Sequence, residues 1–553
     1  VKVLPEQNMV VGYTTKNNGG VPENFKNYFV MKFDSPFAYT SVVVNGEIKS
    51  GELVSQCNHA GAIVGFKTKR GEQLNVRIAS SFISEEQAVE NLKELGNDDF
   101  DAVKARGRKT WNDVLGKIEV KSHDIDHLRT FYSCLYRSVL FPRSFYEKNA
   151  QGEIVHYSPY NGEVLPGYMF TDTGFWDTFR CLFPLLNVMY PSMNEKMQAG
   201  LVNAYKESGF LPEWASPGHR GCMVGNNSAS IVADAYLCGL KNYDAEKLWE
   251  AVVHGTKAVH PTVSSTGRLG YEYYNKLGYV PYDVKINENV ARTLEYAYDD
   301  ACIAALAKSM NKTDVYKEFS KRAKNYRNVY CKGSTFMQPR HSDGSFQPAY
   351  SPDEYTAHIC ESNGWHYMWS VQHDIKGLEK LVGKKRFAEK LDSFFTYTPA
   401  ANAELPLFST GMIGQYAHGN EPSHHAAYIF NKIGQPHKTQ KYVRQILSEL
   451  YNDTPAGLCG NEDCGQTSAW YVFSALGFYP LNPVSCQYEV GSPLFRNATI
   501  HLENGNTFKI VTEGYSPEKY LVKEVLLNGK PLRGTDISHN DIMQGGTLTF
   551  VMQ

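Results

Sequence analysis

The 553-residue chain has no Cys-x-x-Cys pair, no basic run longer than Lys384-Lys385-Arg386, and no apolar stretch near the ~20 residues that a membrane-spanning helix requires. Its 56 basic and 58 acidic residues nearly cancel, leaving a formal net charge of -2. Without a basic surface, nucleic acid and anionic membranes are excluded as principal partners, and a neutral or small substrate is favoured. The 11 cysteines are odd in number and scattered, which is neither a zinc motif nor a disulfide framework. Cys459 and Cys464 fit a local bridge or two free thiols. No EF-hand loop occurs, and His424-His425, being adjacent, lack the i, i+4 spacing of a helical metal pair and read as hydrogen-bonding or packing residues. An initiator Met and a signal peptide are also missing, since the chain opens Val1-Lys2-Val3-Leu4-Pro5, as a processed or truncated product would.

What is present is a change of period along the chain. Tyr28–Phe33, Val42–Glu47 with an Asn45-Gly46 turn, Ala62–Phe66 and Leu74–Ile78 read as strands of an antiparallel sandwich over residues 1–105. A charged helical linker at 106–125 follows. From Leu128 the apolar residues Phe131, Tyr132, Leu135, Tyr136, Val139 and Leu140 recur at helical spacing, and similar patterns continue through Val290–Leu306 and Lys438–Leu450 to about residue 478. Residues 126–482 are therefore expected to be helical. Strand signals return over 483–553, a segment expected to pack with the first sheet. The fold class is α+β and multidomain.

Four segments carry chemistry. Gly457–Pro480 sets Glu462 and Asp463 on a turn between Gly460 and Gly465, running into a helix from about Gln466 to Leu476. That pattern fits an active-site carboxylate pair, and equally two acids favouring a helix N-terminus. Tyr355–Asp374, Gly414–His425 and Thr171–Arg180 are dense in aromatic rings that stack on pyranose faces and in Asn, Gln, His and carboxylates that bond hydroxyls.

In their order along the chain the four segments resemble glycoside hydrolase family 92, the calcium-dependent inverting exo-α-mannosidases. The resemblance implies that residues 126–482 form an (α/α)6 toroid, that the sandwich is a partial one whose N-terminal segment would be a partner, and that the site is periplasmic or extracellular. It implies a mannose-containing glycan as substrate and Ca²⁺ as cofactor. Inverting hydrolysis needs a protonated carboxyl and an ionised one on opposite sides of the sugar. Glu361, beside Trp365 and Tyr367, is the expected acid, because an apolar wall raises its pKa. Asp463 is the expected base, with Glu462 supporting it.

Trp176, Asp177, Trp214, Asn420, Glu421, Trp365, His366 and Asn461 are the expected substrate contacts. Trp214 fits an exposed stacking ring in a loop or a core residue. Glu421, preceding Pro422, is expected to avoid helical geometry. Asn420, Glu421 and Asp463 are the nearest oxygen donors for calcium. Two other activities fit the scaffold. Cleavage of mannose-1-phosphate diesters would need no acid, so Glu361 argues against it; a noncatalytic glycan binder would need no carboxylate pair.

Overall fold

The computed structural model describes residues 1–398 and 405–553. They form two compact units, one of Val1–Trp111 with Ser144–Phe170 and the other of Asn112–Arg143 with Thr171–Gln553.

In the first unit an antiparallel sheet runs Lys2–Leu4, Met9–Thr14, Asn27–Phe33 and Val76–Ser81. Strand alternation sends Val3 and Val10 to one face, where they meet Val42 of the sheet Glu47–Ser50, Tyr39–Val44, Ala60–Gly65. Met9, Val11 and Val30 face the other way and pack on Ala88 and Leu92 of helix Glu85–Leu92. The Asn45-Gly46 hairpin signal is real, both residues having positive φ. The two strands nearest the N-terminus were not legible. A second difference is the three-stranded sheet Glu147–Lys148, Ile154–Tyr157, Val164–Pro166, which lies in the stretch expected to be wholly helical and belongs to the first unit. The structure therefore does not divide at 105 and 125; that boundary falls inside helix Phe100–Leu115.

The second unit alternates amphipathic helices with fully buried ones. Ile125–Arg137, Pro191–Ser208, Ala245–Gly255, Thr313–Arg322 and Pro436–Glu449 pack against inner partners. Leu182–Met189 and Gln466–Leu476 bury every residue. Helix Asn289–Ser309 buries Leu294, Tyr298 and Cys302, and on its other faces Arg292, Glu295, Asp299 and Asp300. An apolar stripe alone understates such a helix.

Hydrogen bonds link the inner elements into a closed circuit. Asn187 donates to Asp234 at 2.7 Å, and Ser230 pairs with Tyr298 at 2.8 Å. Tyr367 donates to Glu295 at 3.3 Å, and His425 Nε2 contacts the Trp369 carbonyl at 2.6 Å. Trp470 donates to the His424 carbonyl at 2.8 Å, and the Gln466 amide oxygen accepts from the backbone N–H groups of Cys181 and Leu182 at 3.0 and 3.1 Å. His424 and His425 are thus hydrogen-bonding core residues.

The C-terminal strands form a six-stranded sheet in the order Lys530–Pro531, Val522–Leu527, Gly546–Met552, Thr507–Glu513, Asn497–His501, Ile118–Lys121. Their ladder thus ends on a strand from the segment expected to be a linker, and not on the first sheet. In a separate three-stranded sheet Phe478–Tyr479 pairs with Gln487–Val490 across the expected boundary at 482, and the C-terminal strands fall in the same unit as the helices.

Candidate active site

Asp177, Glu361, Glu421 and Asp463 each stand just ahead of an inner element of the circuit. The four come from separate stretches of sequence and are collected at one end of the helices. Asp177, Glu421 and Asp463 each place a carboxylate oxygen within 4.8 Å of the other two.

Small residues make this approach possible. A Cβ on Gly460 would lie 2.6 Å from the Gly419 Cα, so the backbones of the 419–421 and 460–463 loops touch. A Cβ on Gly174 would lie 2.1 Å from the Trp214 ring and 2.7 Å from Asp177 Oδ2. The strain sits elsewhere. Asp463, Cys464 and Gly465 have φ of 51°, 58° and 101°, and Glu361 has φ of 51°. Non-glycine residues held in this region cost about 1–3 kcal/mol each and gather at functional sites.

Asn420 joins the loops. Its amide nitrogen donates to the Glu361 carbonyl at 3.2 Å and to Glu361 Oε2 at 3.4 Å, while its Oδ1 accepts from the Glu421 N–H. The amide therefore positions both acids, and its Oδ1 keeps a second lone pair. The expectation for Glu421 is corrected: it opens the 3-10 turn Glu421–Ser423. The Asn420 cap and the missing N–H of Pro422, which needs no partner in a first turn, make that conformation tolerable.

The electrostatics distinguish the four acids. Burial raises the Glu361 pKa, the Asn420 hydrogen bond opposes this, and the Asp463 charge adds to it. Burial also drives Asp177 and Glu421 well above the ordinary carboxylate range, with Asp463 reinforcing both. Burial raises the Asp463 pKa, and its pairing with Glu421 opposes this. Arg180 lowers Asp177 and Glu421. Its guanidinium is buried over the rings of Trp176 and Phe179, with Nη2 3.8 Å from Glu295. Both Glu421 oxygens, Asp177 Oδ2 and Arg180 Nη2 have no protein hydrogen-bond partner.

Other expected site residues have different work. Glu462 accepts from the Gly465 N–H at 2.7 Å and the Ser468 N–H at 3.4 Å, so it caps helix Gln466–Leu476. Trp176 is 1% exposed and donates to the Tyr367 hydroxyl at 3.1 Å, so it cannot stack on a sugar. His366 is buried and completes a capping box with Asn363, its pKa pushed down to about 4 by burial. Trp365 donates to Asp353 at 2.7 Å and packs on Phe336 and Tyr397. Asn461 is exposed, with its carbonyl held by Thr467. Trp214 is half-buried in a short strand against Thr173–Gly174, its ring beside Asp177. Arg180 was missed, although it ends a segment already singled out. Among the described residues all the cysteines are free, Cys459 and Cys464 included.

These acids stand in a chain whose residues 87–553 match the glycosyl hydrolase family 92 catalytic domain. The chain belongs to glycosyl hydrolase family 92. Residues 1–81 match the family's N-terminal domain. An inverting mannosidase of this family from Bacteroides thetaiotaomicron is 43% identical, with a TM-score of 0.94 over 100% of this chain and 76% of that one. A family α-mannosidase of the same organism, solved with mannoimidazole, is 31% identical, with a TM-score of 0.89 over 99% of this chain and 73% of that one. An uncharacterized secreted glycosidase of Arthroderma benhamiae is 27% identical over 87% of this chain, which spans 60% of that protein's length. Among the described residues no helix is long and apolar enough to cross a membrane.

Proposed function

We propose that this chain is an exo-acting α-mannosidase that removes terminal α-linked mannose from glycans with inversion, in the periplasm or outside the cell. The observation that carries the reading is the buried acid group Asp177–Glu421–Asp463 beside a separately held Glu361. The inner circuit is read as the (α/α)6 toroid, with these acids in its mouth.

Glu361 is the proton donor. Burial raises the pKa of its carboxyl, and Asn420 aims it. As the bond from the anomeric carbon to the leaving oxygen breaks, that oxygen takes the Glu361 proton. Asp463 takes a proton from the water whose oxygen bonds to the opposite face of the anomeric carbon, and the product is β-mannose. Trp214, half-buried beside Asp177, is the remaining candidate for a stacking ring. A true glycoside is favoured over a mannose-1-phosphate diester because the diester's leaving group needs no acid.

The acid group fits calcium. Three carboxylates with one nearby Arg180 are short of positive charge, and the unpartnered oxygens of Glu421 and Asp177 are hard donors. Asp177, Glu421 and Asp463 would hold the ion, with water or sugar hydroxyls completing six to eight oxygens. Calcium bound there supplies electrostatic stabilisation of charge developing at the sugar. The reading is tested on a panel of α-mannobioses with and without EDTA, following released mannose by NMR. Mannose appearing first as the β-anomer, only with calcium, supports it; no release from any linkage, or α-mannose first, overturns it.

A further inference from the structure

We propose a second metal site, for a thiophilic divalent cation of the zinc class, formed by Asp234, Cys238 and Cys486. Cys238 and Cys486 lie on the wall of a cavity of about 620 Å³ also lined by Asn187, Glu503 and His539. The family's acid group contributes nothing to it. Nor does any motif: Asp234 and Cys238 stand one turn apart at the end of helix Ser228–Leu237, and Cys486 comes from 248 residues further on.

The geometry is that of a coordination edge. The two sulfurs are 3.6 Å apart, and Cys238 Sγ is 3.4 Å from Asp234 Oδ1. Tetrahedral zinc with bonds of about 2.3 Å to sulfur and about 2.1 Å to oxygen places two sulfurs about 3.8 Å apart and sulfur and oxygen about 3.6 Å apart. Two thiols in simple contact would share the first spacing, so the carboxylate decides. The three ligand atoms of Asp234, Cys238 and Cys486 all lie within 4.8 Å of one another, so the carboxylate converges with both sulfurs on one point. A cation satisfies all three groups at once.

The surroundings are built as a metal site's outer shell is. Asn187 donates to the other Asp234 oxygen at 2.7 Å, Asn194 donates to Asn187 at 2.6 Å, and Gln198 donates to Asn194 at 3.1 Å, all four residues being buried. This chain fixes the carboxylate with Oδ1 toward Cys238. Cys486 is held from the other side, where its carbonyl accepts the His539 N–H at 2.8 Å. The cavity gives an entry path and leaves a fourth position for water.

The test uses the full chain, stripped with chelator and kept reduced by a phosphine, titrated with zinc chloride against a chromophoric chelator. One zinc should bind per chain, and cobalt(II) in its place should show a thiolate-to-cobalt charge-transfer band. Asn187→Ala should weaken zinc about 10–100-fold. Cys238→Ser with Cys486→Ser should abolish both the tight equivalent and the band. Should that variant fail to fold, the unmodified chain serves: zinc should protect Cys238 and Cys486 from iodoacetamide while Cys57 and Cys331 still react. Equal labelling with and without zinc, a band that survives the double substitution, or a chain recovered two hydrogens lighter with Cys238 and Cys486 joined would each overturn the site.

Discussion

Two buried acid clusters in the second unit are made of the same chemistry and arranged in opposite ways. Asp300 is wholly buried, yet Arg268 Nη1 meets one of its oxygens at 2.6 Å, while Tyr274 and Arg322 Nε meet the other at 2.9 and 3.1 Å. Both Asp300 oxygens are met by donors, although Arg268 Nη2 and Arg322 Nη2 have no partner of their own. In Asp177–Glu421–Asp463 the acids face one another, with unpartnered oxygens. A satisfied cluster holds a fold together, whereas an unsatisfied one stores a demand that something else must meet. Burial alone does not tell them apart; partner accounting does.

The sharpest way to break this contrast is to remove one acid from each. Asp463→Ala should cut mannoside hydrolysis by at least about 10²–10⁴-fold, the loss of a general base, while chelator-treated protein keeps or gains thermal stability because a repulsive charge is gone. Asp300→Ala should cost about 3–5 kcal/mol of stability by stranding buried Arg268. Calorimetry and kinetics on the two variants decide it; equal destabilisation would mean that the first cluster is structural as well.

Glu361→Gln should slow substrates with poor leaving groups about 10²–10⁴-fold and aryl mannosides with acidic leaving groups far less. Uniform loss would remove Glu361 as the donor. Metal is the third handle. EDTA should abolish turnover, calcium should restore it, and zinc should not, because the site offers hard oxygens.

The smallest effect concerns Glu462. Burial pushes its pKa up to about 7, so the folded state holds a proton that the unfolded chain releases near its ordinary value of 4.5. That stability is present below pH 4.5 and is lost as pH rises through about 7, up to about 3 kcal/mol. Glu462→Gln should flatten the stability profile in this window, read by denaturant titration from pH 4 to 8. An unchanged slope would mean that Glu462 is not a source of it.

Much of the site was legible because its loops are marked locally. The glycines around Glu462-Asp463, the aromatic run after Glu361 and the Asn-Glu-Pro turn announce irregular backbone with polar side chains. The residues alone did not separate Glu462 from Asp463; the family resemblance named Asp463 as the base. Glu462 and Asp463 are neighbours in sequence, but left-handed backbone at Asp463 and Cys464 separates a helix cap from a site acid. Trp176 and Asp177 likewise part company, one ring going to the core and one carboxylate to the cluster. The hairpin at 144–170 escaped because its strands are short and its neighbours are helical, so no period could form. Long-range pairing, as between Ile118–Lys121 and Asn497–His501, leaves no local mark.

The contact of Gly460 on the Gly419 backbone bears on timescale. With those two main chains touching and Gln466 pinned to Cys181 and Leu182, the loop carrying Asp463 has no room to swing as a lid. Its Gly465 and Thr467 amides, donating to Glu462, should exchange with deuterium only through rare opening of the inner helices. Selectivity would then lie in the shape that a sugar meets on arrival, and turnover would be paced by chemistry or product escape instead of loop closure.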